Sequence, residues 1–105
     1  MKNRVFYNGE LAGYLYKDGS AFIFEYDQDY VAENNPSIGF NLPLMYRQIV
    51  SYDHLHPFFE NLVSEGWLLE AQSRGQRIDE NDYYNLLINN GSDLIGAITV
   101  EKGEA

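Results

Sequence analysis

Two dipeptides, Asn8-Gly9 and Asp18-Gly19, most constrain what this chain can fold into. A tight hairpin turn needs positive φ at its centre, and Asn, Asp and Gly are the residues that reach it at little cost. Short β-prone runs flank both turns. Arg4–Tyr7 precedes the first. Leu11–Lys17 lies between them, with Leu11, Gly13 and Leu15 on one face and Tyr14 and Tyr16 on the other. Ala21–Tyr26, reading AFIFEY, follows the second. The spacing predicts a three-stranded antiparallel meander.

The character then changes. Tyr26–Gly39 is polar and rich in turn formers, so a surface connection is expected, with a short helical turn around Tyr30–Glu33. Leu44–Val50 fits a helix or a strand equally well. Leu55, Phe58, Phe59, Leu62 and Val63 fall on one face of a helix, with Asp53 as its cap, Pro57 in its first turn and Gly66 at its end. A second helical stretch runs from Trp67 to Arg74. A third carries Tyr83, Leu86, Leu87 and Ile88, with Asp79 as cap, Asp82 near the positive end and Gly91 as stop. Ile95–Val100 reads as a strand that returns to the sheet. Strands and helices are segregated, which predicts an α+β fold: a small, mainly antiparallel sheet, built from the meander and the C-terminal strand, packed with a few short helices. Residues 1–105 suit one domain, with no linker or repeat to divide them.

Composition narrows the function. Sixteen acidic residues face seven Lys and Arg, a net charge of −9, and the cations are scattered singly. Nucleic-acid binding needs clustered cations, so it is not expected. The charge suits solubility, or a basic protein surface. There is no cysteine, which excludes disulfides and thiolate metal sites and points to the cytoplasm. The N-terminus has no apolar signal core. Nine tyrosines fit half-buried sheet faces or interfaces alike.

Catalytic and metal-binding patterns are lacking. There is no glycine-rich phosphate loop at a helix start and no nucleophile elbow. His54 and His56 diverge at a helix start without a third ligand, so they read as partly exposed histidines near a cap. Asp79, Glu80 and Asp82 lack the alternation and glycine of a calcium loop. Asp27 and Asp29 read as solvated turn residues. No enzyme, cofactor or metal is expected. The lone tryptophan, Trp67, follows the run FFENLVSEG. It can fold back onto the core, or point outward as an interface anchor once Gly66 has broken the helix.

Five short patterns in order resemble the N-terminal subdomain of the HipA family of toxin serine/threonine kinases. N-G-x-x-x-G-x-L is matched by Asn8, Gly9, Gly13 and Leu15, and F-x-Y-D by Phe24, Tyr26 and Asp27. L-P-L is matched by Leu42, Pro43 and Leu44. F-F-[DE]-N-L-L-P-[DE]-G is matched from Phe58 to Gly66, with Val63-Ser64 in place of Leu-Pro, and G-x-D-x-x-G-A by Gly91, Asp93, Gly96 and Ala97. Losing the proline removes a helix stop and leaves that junction adjustable. The family's kinase core, with its phosphate loop and catalytic aspartate, would follow this subdomain, and the chain ends at Ala105 before it.

The resemblance therefore implies an N-terminal fragment of such a kinase, or a separate gene product that supplies the subdomain in trans. The start at Met1 and the short polar tail favour the second, which looks like the HipS antitoxins of HipBST-type systems. It implies a HipA-like serine/threonine kinase toxin as partner, with a HipB-like DNA-binding protein in a ternary complex, and inhibition through the kinase's active-site region. Trp67, at the end of the most recognisable run, is the expected anchor, with Phe59, Glu65, Gly66 and Leu68 beside it; Phe58 and Leu62 read as core. The alternative role is a structural or assembly module that leaves catalysis intact.

Overall fold

The computed structural model describes residues 2–39, 41–63, 73–93 and 97–103. The meander is formed by β1 (Asn3–Tyr7), β2 (Glu10–Asp18) and β3 (Ala21–Tyr26). Asn8 and Gly9 have φ of 51° and 83°, the two left-handed central residues of a type I′ turn. Asp18 pairs with Ala21, which centres the second turn on Gly19-Ser20, with Gly19 at φ 59°.

Two further strands complete the sheet. β4 (Gln48–Tyr52) pairs antiparallel with β3, so the ambiguous Leu44–Val50 segment contributes a strand. β5 (Ile98–Glu101) pairs antiparallel with β1, as the sequence suggests. The order is β4-β3-β2-β1-β5, antiparallel throughout.

The β1–β2 register slips between Val5 and Phe6. Val5 faces Gly13 and Phe6 faces Leu11, leaving Ala12 without a partner. This bulge turns Ala12 into the core, where it is fully buried, and its carbonyl accepts the Asp27 N–H at 2.8 Å. It corrects the simple alternation that put Leu11, Gly13 and Leu15 on one face.

α1 (Gln28–Ala32) is a single turn and starts earlier than Tyr30. Asp27 caps it, accepting from the N–H groups of Asp29 and Tyr30 at 3.2 and 3.3 Å, so Asp27 has a structural role. α2 (Pro57–Glu60) is much shorter than the Leu55–Val63 helix expected, and its cap is His56 rather than Asp53. Asp53 is committed to the sheet: its N–H donates to the Ser20 carbonyl at 2.8 Å, and its φ is 67°. His56 Nδ1 accepts the Phe58 N–H at 3.1 Å, and Pro57 has no N–H to lose at the first position. Beyond Asn61, the C-cap, the chain tightens into i→i+3 bonds, Leu62 to Phe59 and Val63 to Glu60, both 3.1 Å. The helix thus stops before Gly66, yet Leu55, Phe59 and Val63 are all buried, as their spacing requires.

Residues 73–76 are helical; Trp67 and the rest of the expected second helix up to residue 72 lie outside the described residues. α3 (Tyr83–Asn90) is capped by Asp82, whose side chain accepts the Asn85 N–H at 3.2 Å. Asp79, the expected cap, instead accepts from Asn81 N–H at 2.8 Å and holds the preceding turn. Gly91 ends α3 in right-handed geometry, φ −66°, and leads into a 3-10 turn over Gly91–Asp93.

Among the described residues, the packing lies on one face of the sheet. Val5, Leu15, Phe24, Tyr26, Ile98 and Val100 point to it; Leu55, just before α2, covers it together with Phe59, Leu86 and Leu87 from the helices. Phe24 is the hub, with ring centroids 4.8 Å from Tyr26 and 5.4 Å from Phe59. The one buried polar side chain among the described residues is Asn3. Its Nδ2 donates to Leu15 O at 3.0 Å and to Tyr84 Oη at 2.9 Å, and its Oδ1 accepts the Gly103 N–H at 2.9 Å.

Candidate partner-binding surface

The FFENLVSEGW run starts on a rigid base. Phe59 is fully buried between Phe24 and Phe58, the latter edge-on at 5.1 Å. Phe58 and Leu62 are half-buried against the core, and Val63 is buried. Phe59 was expected among the partner-binding residues; no part of it is open to a partner here, because its ring fills the centre of the core. Glu65, Gly66, Trp67 and Leu68 lie outside the described residues. What the described part provides is therefore a pinned support, from His56 to Val63, from which the chain continues toward Trp67.

Beside this support is a cleft of about 220 Å³. His54 and Glu60 sit on its lip, 4.0 Å apart, with Asp53 and Asp82 nearby and the rings of Tyr83 and Tyr84 behind. Burial pushes the His56 imidazole below its ordinary pKa; Glu60 opposes this and His54 adds to it. Because Nδ1 already accepts the Phe58 N–H, the neutral ring is the form that caps α2. His54 is exposed; among the described residues its Nδ1 lies 3.2 Å from the adjacent Leu55 carbonyl and 4.0 Å from Glu60. Among the described residues there is no group of three or more His, Cys, Asp or Glu able to hold a metal ion.

A second surface escaped the sequence reading. The large hydrophobic side chains exposed among the described residues are Val31, Met45, Tyr46, Val50 and Tyr52, and four of the five lie within residues 45–52. Met45 is 82% and Tyr52 67% exposed, far more than a residue that merely borders the core. An apolar groove of about 320 Å³ opens between α1 and this segment, with Tyr26 and Leu44 in its wall. The tyrosine excess was the available signal, but it marks no location.

The open face of the sheet is polar as well as aromatic. Glu25 accepts from Gln48 Nε2 at 2.8 Å, Lys2 Nζ at 3.2 Å and Tyr16 Oη at 3.2 Å. The Gln48 bond and Lys2 together hold its carboxyl below the usual range, against the opposing effect of burial. Lys2 also lies 4.9 Å above the Tyr16 ring, and Arg4 pairs with Glu101. These side chains satisfy one another.

The HipA N-terminal domain model matches residues 3–101. The chain belongs to the HipA N-terminal domain family. That domain is distinct from the family's kinase domain. The chain is 36% identical over 99 residues to a protein of Haemophilus influenzae strain Rd described as "Uncharacterized protein", covering 94% of this chain and 90% of that one. It is similar in structure to the "N-terminal domain of HipA toxin", with a TM-score of 0.77, 34% identity, and coverage of 98% of this chain and 92% of that one. No helix among the described residues is long and apolar enough to cross a membrane.

Proposed function

We propose that this HipA N-terminal domain acts in trans as an antitoxin, binding a HipA-like serine/threonine kinase toxin and inhibiting it, within an assembly that includes a HipB-like DNA-binding protein. The observation that carries the reading is the Haemophilus relative. This chain covers 90% of it, so the domain recurs in a polypeptide that holds little else. A domain of a kinase family that occurs without the kinase has binding as its available chemistry.

In this reading Trp67 is the anchor, flanked by Glu65, Gly66 and Leu68. It enters the kinase's active-site region and keeps the nucleotide or the phosphate loop out of place. Phe59 contributes from beneath: buried against Phe24, it fixes α2 and the direction in which the run leaves the core. A rigid support lowers the ordering cost of inserting the anchor.

The test is a phosphorylation assay with a purified HipA-type kinase that lacks its own copy of this domain. Adding this protein is expected to abolish phosphorylation. Trp67→Ala is expected to weaken binding by at least about 2 kcal/mol, some thirty-fold. A stable complex with full kinase activity would overturn inhibition and leave an assembly role. Equal silencing by Trp67→Ala would remove the anchor from the mechanism.

A further inference from the structure

Among the described residues, one edge of the sheet carries none of the usual protections. β4 is a terminal strand, unbulged against β3, and its sequence QIVSY has no charge and no proline. Natural edges are normally blunted by Lys, Pro or a bulge.

The ladder shows which of its groups are unpaired on that side. Tyr26 N–H donates to the Arg47 carbonyl at 3.1 Å, and Asp53 N–H donates to the Ser20 carbonyl at 2.8 Å. In an antiparallel pair these directions alternate, so residues 47, 49, 51 and 53 face β3. The N–H and C=O groups of Gln48, Val50 and Tyr52 then point away from the sheet. The side chains of the same three residues are exposed.

We infer that this edge pairs with the β4 edge of a second copy of this chain, antiparallel about a two-fold axis through Val50. That register makes full use of the strand. Val50 meets Val50 of the second copy, and Gln48 meets Tyr52, so all the outward backbone groups pair. One residue beyond each end, Arg47 comes opposite Asp53 of the second copy. A cation thus meets a carboxylate at both ends of the pairing. In a chain of net charge −9, self-association is opposed almost everywhere else on the surface. At this edge the uncharged strand and the Arg47–Asp53 match lift that opposition. Exposed Met45 and Tyr46 lie at one end of the strand and add apolar area to the contact. The inference is independent of the antitoxin reading.

The test is sedimentation equilibrium on the intact protein, from low micromolar to about 1 mM. A reversible monomer–dimer equilibrium is expected. Val50→Pro removes an N–H that faces away from β3, so the ladder to β3 keeps its bonds while the dimer is lost. Its urea midpoint reports whether the fold survives. Arg47→Glu is expected to weaken dimerisation at least tenfold, and adding Asp53→Arg to restore it. A wild-type chain that stays monomeric throughout overturns the proposal. So does a dimer that persists in a folded Val50→Pro variant. If that variant does not fold, failure of the charge reversal to weaken, or of the double swap to restore, overturns it instead.

Discussion

Asn3→Ala should cost more than its small change in volume suggests. The side chain joins three separate parts of the chain: β2 through Leu15 O, α3 through Tyr84 Oη and the segment after β5 through the Gly103 N–H. Each bond is worth about 1 kcal/mol net, so their loss amounts to roughly 3 kcal/mol. At about 4–8 °C per kcal/mol for a domain near this size, the melting temperature should fall by roughly 12–24 °C. Tyr84→Phe removes only one of the three bonds and should cost about 1 kcal/mol. Because both changes break the Asn3–Tyr84 bond, the double variant should lose less than the sum of the two. Urea and thermal unfolding followed by circular dichroism measure all three. A loss under about 0.5 kcal/mol for Asn3→Ala would refute the reasoning, since water would then be replacing the side chain at no cost.

Phe59→Ala should destabilise by about 3–5 kcal/mol in chemical denaturation, because a fully buried ring is removed from beside Phe24. Gly13→Ala should cost about 1–3 kcal/mol by the same measurement, as a Cβ there would lie 2.3 Å from the Glu25 carbonyl and 2.9 Å from the Phe24 ring. His56 makes stability pH-dependent. Its folded-state pKa is depressed, so as pH falls through about 6.5 the unfolded chain takes up a proton that the folded chain resists, and stability drops until the folded ring also protonates. Urea midpoints between about pH 7.5 and 5.5 should show that drop, and His56→Asn, which still caps without titrating, should flatten it.

The sequence was legible where structure is set locally. Asn8-Gly9 and the alternating runs around it specify the meander within a few residues; the first turn forms on its dipeptide, and the second is shifted by one residue onto Gly19-Ser20, because Asp18 still pairs in β2. β4 was not legible, because Leu44–Val50 has no turn code and becomes a strand only by pairing with β3, some twenty-five residues earlier. The caps show competition between neighbours. Asp53 and His56 could both start α2, and Asp53 is taken by the sheet through Ser20. Asp79 and Asp82 could both start α3, and the one nearer the helix does so. Phe59 is ambiguous in the sequence because a buried ring and a binding anchor have the same composition; its i+4 spacing from Leu55 was the clue to burial. The family patterns Asn8, Gly9, Gly13 and Phe24, Tyr26, Asp27 turn out to be scaffold: a turn, a close approach, two core rings and a helix cap. The site was less legible for the same reason, since binding residues carry no periodicity of their own.

The bond between Asn3 and Gly103 brings residues a hundred positions apart into contact. β1 and β5, the first and last strands, lie side by side. A domain whose two ends meet occupies almost no path length in a longer polypeptide. It can be spliced into a host chain, or removed from one, without rerouting the segments on either side. Joining residues 3 and 103 through a short bridge and reopening the chain at Gly19-Ser20 should therefore give a permuted protein with the same sheet.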